Sequence, residues 1–192
     1  MTSSSPAHQH MGEPAVARPV PVLLITGVVG VGKTTVTDEA SSLLRQARIP
    51  HAMVDLAVIG GCWPTPPGDE WNEELIHHNL ACMWDNFQRA GAGRLLVCRV
   101  LEARSLLSRI TEAVPGAVIT VVRLRAPLET VRARIMAREA GRSPQWYLDA
   151  AEYLTGRLED TCVEDHVVDN HDRPVEEAAA EVLRVAGWLP VR

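Results

Sequence analysis

Apolar residues in this chain fall into two alternating patterns. In the first they run almost without interruption over short stretches: Val22-Leu23-Leu24-Ile25, Ala52-Met53-Val54, Leu95-Leu96-Val97-Cys98, Val118-Ile119-Thr120-Val121-Val122 and, last, His166-Val167-Val168-Asp169. Such runs predict strands buried on both faces, because a solvated face would put a polar residue at every second position. In the second pattern apolar residues recur at every third or fourth position. Val36, Ala40, Leu43, Leu44 and Ala47 predict a helix over 34–47 that Pro50 ends. Ile76, Leu80, Met83 and Phe87 form the inner stripe of a helix over about 72–90, capped by Asp69 or Asn72 and stopped by Gly91 and Gly93. Further helices are expected over about 102–113, 127–140, 145–161 and 175–186. Five strands alternating with helices predict a parallel sheet covered on both faces and joined by right-handed crossovers.

Two stretches break the pattern. Residues 1–19, rich in Ser, Pro, Ala and His, have no periodicity and read as a disordered tail ahead of a single domain over 20–192. Residues 56–71, with Pro64, Pro66, Pro67 and three glycines, read as a long irregular segment, of the kind a compact domain keeps for function. Composition narrows the classes. With 192 residues, 46% hydrophobic and 22% charged, the chain buries a core without staples. A net charge of −5 argues against a nucleic-acid partner. Cys62, Cys82, Cys98 and Cys162 form no C-x-x-C pair and read as reduced thiols, not as zinc ligands or a disulfide framework. No apolar run approaches the roughly 20 residues of a membrane span, and the first residues hold no signal-like apolar segment. The expectation is a cytoplasmic protein with no membrane partner, acting as a monomer or homodimer.

The chemistry concentrates after the first strand. Gly27-Val28-Val29-Gly30-Val31-Gly32-Lys33-Thr34 fits G-x-x-x-x-G-K-[ST], placed between a buried strand and a helix as that motif requires. Its glycines let the backbone curl so that successive N–H groups face a phosphate, and the helix start adds a positive end. Lys33 would reach the outer phosphates, Thr34 would hold Mg²⁺ through its hydroxyl and Thr35 would donate to the α-phosphate. Absences exclude some users of such a loop. No N-K-x-D guanine motif occurs, and the third strand ends in Cys98-Arg99 without the acidic residue that motor ATPases place there.

Val22–Thr35, Asp55 at the end of the second strand and the arginine-bearing helix after the fourth strand resemble the P-loop small-molecule and nucleotide kinases. The nearest branch holds adenylylsulfate kinase, gluconate kinase and chloramphenicol phosphotransferase. The resemblance covers about residues 20–187 and implies a three-layer P-loop NTPase fold, a five-stranded parallel sheet flanked by helices, with a small helical lid over about 138–146. It also implies ATP and Mg²⁺ as cofactors, and adenine packed beside Asp169–Arg173.

Candidate residues follow from position. Asp55 lies where ligands of open α/β sheets bind, beyond the carboxyl ends of the strands, and a carboxylate there orients and deprotonates an acceptor hydroxyl or holds Mg²⁺ through water. Leu128, Val131, Ile135, Arg138 and Arg142 share one helix face that is apolar first and cationic last. Arg138 and Arg142 are therefore candidate phosphate clamps, with Arg134 near the same face and Arg132 to one side. Trp63, Trp71 and Trp84 cluster in and after the irregular segment and suggest ring-stacking walls, with Asn79 and Asp85 as polar contacts; Arg99 and Glu102 follow the third strand at the ligand edge. Adjacent His77 and His78 do not share a face and make a poor metal pair. The reading is an ATP- and Mg²⁺-dependent phosphotransferase acting on a hydroxyl of a small molecule. A nucleoside monophosphate kinase, or a nucleotide-binding regulator that transfers nothing, remain the alternatives.

Overall fold

Five parallel strands form one sheet in the order β2-β3-β1-β4-β5: β1 (Val20–Thr26), β2 (Ala52–Asp55), β3 (Leu95–Cys98), β4 (Ala117–Arg125) and β5 (His166–Asp169). A computed structural model describes residues 19–139 and 143–190 of the chain. Seven α-helices among the described residues flank the sheet in a three-layer α/β arrangement: α1 (Lys33–Gln46), α2 (Leu56–Ile59), α3 (Glu73–Arg89), α4 (Leu107–Ala113), α5 (Leu128–Arg138), α6 (Gln145–Thr161) and α7 (Val175–Val185). Cover on both faces explains the continuous apolar runs: Leu23, Leu24, Ile25, Leu95, Leu96 and Val97 are all fully buried. None of the described helices is long and apolar enough to cross a membrane.

The register positions the chemistry. Asp55 pairs with Cys98, Cys98 with Ile25, and Ile25 with Val122, so these four stand in one row at the carboxyl edge of the sheet. Beyond that row lie the glycine loop, the start of α2, and the segments after β3 and β5. Thr26, buried at the end of β1, accepts a hydrogen bond from the Leu101 amide at 2.8 Å and ties the central strand to the segment after β3.

Local differences from the sequence reading have identifiable causes. The segment over 56–71 opens with α2, a single turn too short to show periodicity; the Asp55 carboxylate starts it by accepting from the Ala57 amide at 3.0 Å. The expected helix over 102–113 is a 3₁₀ turn, Arg104–Leu106, followed by α4. Strand β4 runs on through Arg123, whose charge is neutralised by Glu164 at 3.0 Å with both side chains nearly buried. Asp69, not Asn72, caps α3, accepting from the Glu73 amide at 2.6 Å and the Glu74 amide at 3.0 Å. Trp84 points into the core with 2% exposure and does not wall a ligand site. Removing its ring would leave a large cavity and cost about 3–5 kcal/mol.

Candidate active site

Three glycines shape the loop between β1 and α1, each held from a different side. Gly27 has φ +139°, and a Cβ there would stand 2.6 Å from the Leu124 carbonyl oxygen; at Gly30, φ +82°, it would stand 2.6 Å from Ile135 Cγ1; at Gly32, φ +102°, it would stand 2.8 Å from Asn170 Nδ2. Backbone sign and neighbouring atoms both exclude side chains, so the loop is clamped between β4, α5 and the segment after β5. Helix α1 starts at Gly32 with no side-chain cap and no acidic residue in its first turn, which leaves its leading N–H groups for an anion.

Lys33 folds back over this loop, donating to the Gly27 and Val28 carbonyls at 3.0 Å each. Burial pushes its pKa below the ordinary lysine value; nearby Cys98 and Asp55 oppose that shift and Arg138 adds to it. The Thr34 hydroxyl donates to Asp55 Oδ2 at 3.1 Å, while Asp55 Oδ1 caps α2. Asp55 thus serves as a helix cap with one oxygen and faces the phosphate loop with the other. Cys98 Sγ lies 3.9 Å from the Thr34 hydroxyl, and burial first, then the Asp55 charge, pushes its pKa up to about 11. The thiol is neutral at ordinary pH, so Asp55 is the one carboxylate beside Thr34 in this row.

A hydroxyl and a carboxylate oxygen in contact form the hard-donor pair that Mg²⁺ accepts when phosphates supply its other ligands. No group of three or more His, Cys, Asp or Glu able to hold a metal occurs among the described residues, His77 and His78 included. The residues present fit Mg²⁺ brought in with a nucleotide.

Helix α5 covers the loop. Val131 and Ile135 are fully buried against Gly30. Arg134 donates to the Val31 and Asn170 carbonyls at 2.9 Å each, and Asn170 Nδ2 donates to the same Val31 carbonyl at 2.8 Å. Arg138 stacks over the Tyr147 ring at 5.0 Å and pairs with Glu139 at 2.8 Å, its side chain half exposed. Arg132 pairs with Glu152, away from the loop. Arg142 lies outside the described residues. A cavity of about 660 Å³ gathers Lys33, Thr34, Asp55, Cys98, Arg134, Arg138 and Arg173. In the segment expected to meet adenine, Asp169 pairs with Arg125, whose guanidinium holds its carboxyl below the usual range, and Arg173 pairs with Glu181.

A second cavity of about 680 Å³ adjoins the first and shares Val29, Ala57, Arg99 and Val100 with it. Trp71 comes from the segment before α3, and Trp146 and Tyr153 come from α6; Glu70, Glu73 and Glu102 also line it. Arg99, at the junction, is ion-paired with Glu73. Gly60 packs so tightly on α3 that a Cβ would stand 2.4 Å from Ile76 Cγ1.

Of the residues expected near the acceptor, Asp55, Trp71, Arg99 and Glu102 line these cavities. Trp63 is 90% exposed and lines neither. Asn79 instead holds the Ile59 carbonyl at 2.7 Å, and Asp85 pairs with Arg89 along the outside of α3. Sequence reasoning missed Trp146, Tyr153, Cys98 and Asn170. Trp146 and Tyr153 did leave a signal, since a separation of seven puts them on one helical face two turns apart.

No protein-family model matches the sequence, and no curated protein matches it. Solved structures do. A tunicamycin resistance protein from Deinococcus radiodurans is 21% identical, with a TM-score of 0.63 over 88% of this chain and 97% of that one. A gluconokinase from Sinorhizobium meliloti 1021 is 20% identical, with a TM-score of 0.55 over 88% and 95%. The chain has the fold of the P-loop small-molecule kinases. An APS kinase from Mycobacterium tuberculosis, in complex with AMPPNP and APS, extends the likeness at 16% identity and a TM-score of 0.52 over 88% and 99%. At these identities the likeness shows the fold alone.

Proposed function

We propose that the chain is an ATP- and Mg²⁺-dependent phosphotransferase that moves the γ-phosphoryl group to a hydroxyl of a small molecule. The observation that carries this reading is the Thr34–Asp55 contact beside Lys33, in a nucleotide-sized cavity that adjoins a second one suited to an acceptor. The kinase fold of the similar structures supports it.

In this reading the 27–35 backbone amides grip the polyphosphate. Lys33 exchanges its two loop carbonyls for phosphate oxygens, and its desolvated charge acts strongly there. Bound Mg²⁺ would neutralise charge on the phosphates, with Thr34 and Asp55 as its protein-side donors, directly or through water. Asp55 orients the acceptor hydroxyl and takes its proton as the new oxygen–phosphorus bond forms and the bond to ADP breaks. In this reading Arg138 and Arg142 steady the equatorial oxygens, and the 138–146 lid, whose residues 140–142 lie outside the described residues, keeps water from the reaction.

The competing reading is a nucleotide-binding regulator, and the observation in its favour is a neutral Cys98 where an acid would help organise the metal. ADP release measured with ATP, Mg²⁺ and an acceptor panel separates the two. The phosphotransferase predicts acceptor-stimulated ADP formation, reduced by about 10²–10⁴-fold in Asp55→Asn with ATP still bound. Tight ATP binding with no stimulation by any acceptor would establish the regulator. Stimulation confined to AMP or CMP would establish a nucleoside monophosphate kinase.

A further inference from the structure

We infer that the acceptor is a hydroxyl compound with an aromatic or flat apolar face and a neutral or cationic charge, not an anion. The inference rests on the phosphotransferase reading and names the substrate class of its second cavity.

The walls supply the first argument. Trp71 is 73% exposed, Trp146 62% and Tyr153 63%, although each is large enough to stabilise a core if buried. They come from two separate elements and line one cavity. Aromatic faces left open beside a reaction centre are stacking surfaces, and their π-clouds favour neutral or cationic partners over anions.

Charge supplies the second. Among the described residues, Glu70, Glu73 and Glu102 line the cavity against a single guanidinium, Arg99, which Glu73 already occupies. Glu102 has Arg157 for a partner only at 3.8 Å, and Glu70 has no ion-pair partner among the described residues. An anionic acceptor would face net negative walls and would have to break the Arg99–Glu73 pair to be held at all. The other cationic side chains, Lys33, Arg134, Arg138 and Arg173, line the nucleotide cavity and not this one. The site is thus divided into a cationic half for polyphosphate and an anionic, aromatic half for the acceptor, and a phosphate-bearing acceptor is selected against.

The test uses three probes with one skeleton, a phenyl ring beside a hydroxyl: phenylethanolamine (cationic), phenylethanediol (neutral) and mandelate (anionic). Each is titrated by saturation-transfer NMR into the full chain loaded with Mg²⁺ and AMPPNP. AMPPNP binding is measured first and separately. The amine is expected to bind at least about tenfold more tightly than mandelate, with the diol between them. Glu70→Gln with Glu102→Gln narrows the gap between amine and mandelate and leaves the diol unchanged. Trp71→Ala and Trp146→Ala, both at exposed positions and so compatible with an intact fold, each weaken amine and diol about fivefold or more. Mandelate binding as tightly as the amine, or no binding of any probe to the AMPPNP-loaded chain, overturns the acceptor class alone. Absence of AMPPNP binding overturns the phosphotransferase reading, and the acceptor class falls with it.

Discussion

Between Gly27 and Thr34 the site is built from main chain; across Arg99 it is built from side chains. The phosphate loop is fixed by three glycines wedged against Leu124, Ile135 and Asn170, and its lysine rests on the loop's own carbonyls. The second cavity, the proposed acceptor half, brings Trp71, Arg99 and Trp146 together from three distant parts of the chain, and its aromatic faces stand open. A main-chain cradle needs particular residues at fixed spacing and tolerates little change. A side-chain pocket only needs a scaffold that delivers its parts, so its chemistry is free to vary while the fold persists. Low identity to proteins of the same architecture is what such a division permits.

Lys33→Ala separates the two halves most strongly. On the proposed reading, loss of the Lys33 ammonium, which rests on the loop carbonyls, should lower kcat/KM by about 10³-fold or more, and ATP affinity with it, in coupled-assay kinetics and calorimetry. A smaller effect belongs to the other half. Trp71→Ala with Trp146→Ala should raise the acceptor KM about tenfold or more while the Kd for ATP stays unchanged. A joint loss of both affinities would show that the halves are not independent.

Tyr147 links them: Arg138 stacks on its ring at 5.0 Å, and Trp146 packs edge-on against it at 5.0 Å. Tyr147→Phe keeps the ring and should leave kcat unchanged. Tyr147→Ala should lower kcat about two- to fivefold, with ATP affinity preserved, by freeing the Arg138 guanidinium.

The smallest effect is on pH. Burial lowers the Lys33 pKa, so its cation is lost at a pH below the ordinary lysine value of 10.5 as pH rises. ATP affinity should therefore weaken as pH rises, at a pH below the ordinary lysine range, while affinity for an uncharged acceptor stays flat. The linkage has a defined sign. The folded chain holds this proton less firmly than the unfolded chain, so Lys33 destabilises the fold at low pH, and that penalty is relieved as pH rises through the lowered value.

Legibility in the sequence followed the same division. Strand runs, helical stripes and the glycine loop were readable because each is local: burial on both faces at Leu23–Ile25, a period of three to four at Ile76 and Leu80, fixed spacing from Gly27 to Thr34. Asp55 was readable from its place at the end of a strand, and its two contacts, with the Ala57 amide and the Thr34 hydroxyl, only from the fold. The lining of the second cavity was readable only in part: Trp71, Arg99 and Glu102 were candidates, while Trp146 and Tyr153 were not. Trp84 and Trp63 share a composition with Trp71, yet one packs in the core and the other lines neither cavity. Which tryptophan faces a ligand depends on how α3, α6 and the Gly60 contact pack, and no local pattern encodes that. Asn79 likewise resembles a ligand contact and instead secures the Ile59 carbonyl.

The central claim is that the loop from Gly27 to Thr34 is a nest for a triphosphate. Calorimetric titration of the full chain with ATP and Mg²⁺ tests it most directly. ATP should give saturable heat at one site per chain, abolished in Lys33→Ala. No detectable heat with ATP or any other nucleoside triphosphate, or identical binding by Lys33→Ala, would contradict it.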